Sequence, residues 1–172
     1  MMSPLTSWQA LFSSLRVGQQ SALEPAGRSA FQRDYDRIMF STAFRRLQSK
    51  TQVFPLPKAD FVHTRLTHSL EASCVARSLG QIAGQLLHQA HPALFEHGVV
   101  PDDLASIAAA ASLAHDIGNP PFGHSGEDAI SAYFSADNGT RWLEGLTPAQ
   151  QADLQQFEAN ALGFRILTRT LP

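Results

Sequence analysis

Apolar side chains recur with a helical period along most of this chain, and the first clear stretch begins at Ser29. Phe31, Tyr35, Ile38, Met39, Phe44 and Leu47 predict one helix from about Ser29 to Gln48, with arginines on its other faces. Residues 1–27 mix Ser, Pro, Gly and Gln with weak periodicity and read as a surface arm, which leaves 28–172 as the domain. Phe54-Pro55-Leu56-Pro57 marks a loop, because proline is excluded from a helix interior. From Thr64 to His88 the positions Leu66, Leu70, Val75, Leu79, Ile82, Leu86 and Leu87 describe a second long helix, followed by a loop with Pro92 and Gly98. Pro101-Asp102-Asp103 opens a third, whose run Leu104 to Ala114 is alanine-rich and free of charge, the pattern of a helix at the centre of a bundle. It stops at Ile117-Gly118-Asn119-Pro120-Pro121. Beyond it the pattern predicts a short helix from Glu127 to Phe134, a turn at Asp137-Asn138-Gly139 and a last helix from Thr147 to about Leu167. No window alternates apolar and polar residues between turn signals, so the expected class is all-α.

Composition adds bounds. With 172 residues, 44% of them hydrophobic, the chain is long enough for one domain with a core. A net charge of −2 points to neither a nucleic-acid coat nor a disordered acidic chain. The charge is uneven, however: nine basic residues against four acidic ones between Arg28 and Arg77 leave +5 there and −7 elsewhere. That fits a localised anion site, and equally arginines reaching into solvent from amphipathic helices. A single cysteine, Cys74, sits among small and apolar residues and is expected to be a buried, inert thiol in a reducing cytoplasm. No stretch approaches the ~18 apolar residues of a membrane span, and the N-terminus lacks a signal pattern, so a soluble protein is expected.

Three clusters carry the chemistry. His115-Asp116 ends a helix that is otherwise dry, where an ionisable pair is costly unless partnered. A divalent cation is the economical partner, since imidazole and carboxylate are its usual ligands and the negative end of the helix dipole points the same way. Along a helix, Arg65, His68 and Glu71 are three apart and share a face: a phosphate-type donor, a metal-type ligand and a carboxylate, or an ordinary charged face. In Asn119-Pro120-Pro121-Phe122-Gly123-His124-Ser125-Gly126-Glu127, two prolines and two glycines fix an irregular loop. There His124 and Glu127 are spaced to form a proton-transfer dyad, though a turn with a surface histidine has the same composition.

Arg65-x-x-His68-Ser69 followed by Ala114-His115-Asp116-Ile117-Gly118-Asn119-Pro120-Pro121-Phe122-Gly123-His124-Ser125-Gly126-Glu127 resembles the HD superfamily, specifically bacterial deoxyguanosine triphosphate triphosphohydrolases. Phe31 to Arg37, Arg45-Arg46-Leu47, Lys50 to Pro55 and Phe157-Glu158-Ala159-Asn160 extend the match over about Arg28 to Leu167. The resemblance implies an HD-domain helical bundle that uses a divalent metal, Mn²⁺ or Mg²⁺, to hydrolyse a deoxynucleoside triphosphate to deoxynucleoside and tripolyphosphate. It assigns His68, His115 and Asp116 to the metal, and His124 and Glu127 to catalysis. Arg65 would face the phosphates, Gln52 and Val53 the deoxyribose, and Asn119 and Asn160 the phosphate region. It also implies a homo-oligomer and single-stranded DNA as an effector.

Two departures follow from the same comparison. The family's Phe-Glu-Gly-Asn-Ala-Gln reads Phe157-Glu158-Ala159-Asn160-Ala161-Leu162 here. Its fourth metal ligand is an aspartate well downstream, and no aspartate here has a matching context, so the expected object is the N-terminal part of such an enzyme, without its C-terminal half. A non-catalytic nucleotide-binding or regulatory subunit and another HD-type nucleotide phosphohydrolase are the competing expectations.

Overall fold

A computed structural model describes residues 11–16, 27–50, 63–95 and 98–169. Among these residues every regular element is helical and none is a strand, as the all-α pattern requires. We label the α-helices α1 Ala30–Phe40, α2 Thr42–Arg45, α3 Arg65–Ala90, α4 Pro101–Ala114, α5 His124–Ser135, α6 Asp137–Thr140, α7 Pro148–Gln155 and α8 Ala159–Thr168. Short 3₁₀ turns run Arg46–Ser49, Pro92–Phe95 and Arg141–Leu143. The loop expected at Phe54–Pro57 lies outside the described residues, as do Gln52 and Val53.

Where helix ends differ from the periodicity, capping side chains account for it. The helix expected over 29–48 breaks at Ser41, whose hydroxyl accepts the N–H of Phe44 and starts α2 while its own N–H closes α1 on Ile38. The single last helix is two, because Phe157 N–H is drawn to Ser131 Oγ at 3.0 Å and Glu158 caps a fresh helix with its carboxylate. The Asp137–Gly139 turn closes into the one-turn helix α6, and α5 begins three residues earlier than expected, at His124. Of the N-terminal stretch read as a surface arm, the described part carries Phe12, which is 8% exposed and tilted against Phe95, and Arg16, which pairs with Asp34 at 2.6 Å.

The long helix α3 buries small residues. Its covered positions Ser69, Ser73, Gly80 and Gly84 face the alanine-rich α4, where Ala105, Ala109, Ala110 and Leu113 are buried. A Cβ on Gly80 would lie 2.7 Å from the carbonyl oxygen of Leu104, and one on Gly84 would overlap the carbonyl of Pro101. The two backbones are therefore in contact, and Ser73 Oγ donates to the Ala109 carbonyl across the seam at 2.9 Å. The larger apolar residues Val75, Leu79, Ile82 and Leu86 consequently point away and are exposed. So is Cys74, contrary to the buried thiol expected from its neighbours: it lies next to Ser73, and successive helical residues turn by ~100°. No helix among the described residues is long and apolar enough to cross a membrane.

The core that positions the site joins the ends of three elements. Phe44 and Leu47 pack against Leu113, Ala114 and Ile117, with Tyr35, Ile38, Met39, Leu66 and Leu70 around them. Leu47 and Leu113 are fully buried. This cluster seats the C-terminus of α4 against the first turns of α3.

Candidate metal centre

Two chain reversals supply the side chains. The Thr64 hydroxyl caps α3 by accepting the N–H of Thr67, and the Arg65 N–H is bound by the Lys50 carbonyl at 2.9 Å. This fixes the first two turns, which carry Arg65 and His68. The α4 helix ends at Ala114, and the turn 115–118 presents His115 and Asp116 together. The turn then packs against α8 at Gly118, where a Cβ would overlap the carbonyl of Ala159 and the amide of Gly163. Glycine is required there by the close approach of two backbones.

His68, His115 and Asp116 each offer a ligand atom, and these atoms lie within 4.8 Å of one another. The two rings meet edge to face at 5.2 Å. His115 Nδ1 lies 2.7 Å from the Ser112 carbonyl oxygen, which can only accept, so Nδ1 carries the proton and, in the neutral ring, Nε2 presents its lone pair. That lone pair lies 3.5 Å from Asp116 Oδ2. Asp116 is 3% exposed; its Oδ1 accepts Arg65 Nη1 at 2.8 Å and also the side-chain amide of Asn119. Its Oδ2 is buried without a hydrogen-bond partner. A buried carboxylate oxygen facing an imidazole lone pair is unfavourable on its own. A divalent cation between Oδ2, His115 Nε2 and His68 removes that cost, and one carboxylate with two imidazoles is a donor set such ions accept.

Positive charge gathers on the other side of Asp116. Lys50 Nζ donates to the Asn119 carbonyl at 2.5 Å. Burial holds its ammonium below the usual lysine range, and the like charge of Arg65 adds to this, while Asp116 opposes it. Of the other cations in the basic segment, Arg28 pairs with Asp36, Arg77 lies over the Tyr35 ring and Arg45 over the Phe40 ring. Arg46, from the same basic segment, acts on Lys50 in the same direction as Arg65.

His124 and Glu127 stand on the first turn of α5. Phe122 and Gly123 both have positive φ, 69° and 57°, a turn that brings Gly123 against Arg65, where a Cβ would lie 3.0 Å from Nη2. His124 Nδ1 meets Glu127 Oε2 at 2.6 Å, with the imidazole 98% exposed and the carboxylate 13%. Glu127 Oε1 accepts the backbone N–H of Ala159 at 2.7 Å.

The sequence-predicted residues are thus partly assembled. His68, His115 and Asp116 converge, with Arg65 and Asn119 holding Asp116 and with His124 and Glu127 paired on the adjoining loop. Gln52 and Val53 lie outside the described residues. Asn160 is exposed, and its amide is turned to Glu158 at 2.9 Å. Glu71 is exposed, 3.9 Å from His63. Ala159, one of the two departures from the family pattern, is buried and donates its N–H to Glu127. Residue types gave no role to Lys50, Glu158 or the Ser112 carbonyl. The last has no sequence signal at all, because a main-chain group acts.

Comparison with known proteins finds a family model and full-length relatives that match this chain. A family model described as HD domain matches residues 65–149, which include all three candidate ligands and the His124–Glu127 pair. A deoxyguanosinetriphosphate triphosphohydrolase-like protein of Pseudomonas aeruginosa is 51% identical over 163 residues, covering 94% of this chain and 36% of its own length. Proteins of the same description from Synechocystis and Listeria innocua are 51% and 43% identical, covering 94% and 83% of this chain and 37% and 32% of their own lengths. The chain therefore spans about a third of the length of these relatives. This helical chain carries an HD domain over residues 65–149 and is similar along nearly its whole length to the deoxyguanosinetriphosphate triphosphohydrolase-like proteins.

Proposed function

We propose that this chain forms the metal-binding part of a phosphohydrolase that cleaves a deoxynucleoside triphosphate into deoxynucleoside and tripolyphosphate. The observation that carries the reading is the buried, unpartnered Asp116 Oδ2 facing the His115 lone pair, with Arg65 behind it. His68, His115 and Asp116 would hold a divalent ion, Mn²⁺ or Mg²⁺, and such an ion supplies Lewis acidity toward a phosphoryl oxygen. Arg65 and Asn119 fix the Asp116 carboxylate by binding Oδ1, leaving Oδ2 free for the cation. Lys50 and Arg65 add positive potential where a polyphosphate would lie.

His124 is suited to move a proton. Its Nδ1 donates to Glu127, so Nε2 is left to take a proton from water or return one to a leaving oxygen. With a carboxylate behind it, the imidazole keeps one orientation and the imidazolium that forms is stabilised. Gln52, Val53 and Asn160 belong to the same proposal as substrate contacts, on the strength of the sequence resemblance. A cytoplasmic homo-oligomer responsive to single-stranded DNA is proposed on that ground too.

The test is product analysis on the complete gene product with Mn²⁺ or Mg²⁺ and each of the four deoxynucleoside triphosphates. Tripolyphosphate and deoxynucleoside in equal amounts are expected. Release of orthophosphate or pyrophosphate would refute the reading.

A further inference from the structure

We infer that the first turn of α8 is a brace that positions the His124–Glu127 dyad, with Ala159 N–H as its contact and Glu158 as a positioning residue. The inference rests on the hydrolase reading for the consequence to catalysis, though not for the contact itself.

Glu127 lies on α5, yet the partner that fixes its second oxygen is 32 residues downstream: Ala159 N–H donates to Oε1 at 2.7 Å while His124 Nδ1 donates to Oε2 at 2.6 Å. With both oxygens engaged, the carboxylate has no free rotation about its terminal bond, so the imidazole is held by a group that is itself held. Ala159 is the first residue of α8, where a backbone N–H has no helical acceptor and is open to an outside one. The next amides do not compete, because the Glu158 carboxylate takes Asn160 N–H at 3.1 Å and Ala161 N–H at 2.5 Å. Those bonds hold the Glu158 carboxyl below its ordinary range, the Ala161 amide first and the Asn160 amide second.

The same turn touches the other half of the site. Gly118, two residues after Asp116, packs on the Ala159 carbonyl and on Gly163, and Ser131 Oγ anchors Phe157 N–H to α5 at 3.0 Å. One helical turn therefore contacts both the loop of His115 and Asp116 and the helix of His124 and Glu127. It sets their separation, and in proton transfer a displacement of ~1 Å costs about 100-fold in rate. The Phe157-Glu158-Ala159-Asn160 block would thus act on the dyad through the Ala159 amide, besides any contact of Asn160 with substrate.

The decisive variant is Ala159→Pro. Proline suits the first position of a helix, and Glu158 already has φ −135° and ψ 121°, which a following proline accepts. The donor is removed while α8 can persist. The readout is the tautomer of His124 in ¹⁵N-labelled protein above neutral pH, followed by imidazole ¹⁵N shifts. Wild type and Ala159→Gly, which keeps the N–H, are expected to hold the Nδ1–H form. Ala159→Pro, with wild-type circular dichroism, is expected to lose more than half of it. In the complete gene product, the proline variant should lose about 100-fold in kcat with KM within twofold.

If Ala159→Pro does not fold, exchange of the Ala159 amide in Glu127→Ala decides: acceleration of about tenfold or more, with the Asn160 and Ala161 amides unchanged, supports the brace. A folded Ala159→Pro with the wild-type tautomer, or an Ala159 amide indifferent to Glu127→Ala, overturns it. If the hydrolase reading fails, every protein lacks turnover while the tautomer and exchange results still stand.

Discussion

Replacing Arg65 by methionine tests whether Asp116 is a buried anion waiting for a cation. The guanidinium and carboxylate side chains are 10% and 5% exposed, and their contact is 2.8 Å. Water therefore screens them little. Methionine keeps much of the volume and leaves the buried Asp116 carboxyl with the Asn119 amide as its remaining side-chain hydrogen-bond donor. Breaking a buried pair by removing one partner costs about 3–5 kcal/mol, since the other charge stays desolvated. For a chain of this size each kcal/mol lowers the melting temperature by ~2–4 °C, so Arg65→Met in EDTA is expected to melt on the order of 10 °C lower. Arg165→Met is the control. Its pair with Asp153 is 3.4 Å long and the side chains are 55% and 64% exposed, so it should cost less than about 1 kcal/mol.

Because a cation at Oδ2 replaces part of the lost positive charge, Mn²⁺ at ~100 times its dissociation constant should restore about 2.7 kcal/mol. Calorimetric melting with and without Mn²⁺ measures both effects. An Arg65→Met protein within about 1 kcal/mol of wild type in EDTA would refute the buried-charge reasoning.

Other predictions follow from the packing and the caps. Gly84→Ala places a methyl group on the Pro101 carbonyl and forces α3 and α4 apart; a loss of about 1–3 kcal/mol is expected in urea unfolding, and an unchanged midpoint would contradict the close approach. Leu113→Ala empties a fully buried position in the cluster beneath Asp116 and should cost about 2–5 kcal/mol in the same assay. Glu158 has its carboxyl lowered by the Ala161 and Asn160 amides, so its contribution is complete above the unfolded value of 4.5 and is lost as pH falls through the folded value. Glu158→Gln should therefore flatten the acid limb of the stability profile, and an acid limb identical to wild type would show that the cap contributes nothing.

Much of the site was legible because its chemistry is local. His115-Asp116 declares itself by ionisable residues at the end of an uncharged helix, and the Pro-Gly loop to Glu127 by residues that admit few conformations. What escaped was set by backbone groups and by contacts between distant segments. The tautomer of His115 depends on the Ser112 carbonyl, and the orientation of Glu127 on the Ala159 amide. The burial of α3 was misleading for a related reason. Periodicity of large apolar residues marks Val75, Leu79, Ile82 and Leu86, but the backbone approach favoured by Gly80, Gly84 and the α4 alanines won the packed face. The same choice left Cys74 exposed. The breaks at Ser41 and Glu158 lie within runs of helical period, where a side-chain cap outweighs the pattern.

The central claim is that His68, His115 and Asp116 hold one divalent cation. The most direct measurement is the anomalous difference density at the manganese edge from crystals grown with Mn²⁺, for wild type and for His115→Ala. The expected result is a single peak about 2.0–2.3 Å from a His68 nitrogen, His115 Nε2 and Asp116 Oδ2, absent in the variant. No peak among these three atoms in wild type, or an equal peak in His115→Ala, would contradict the assignment.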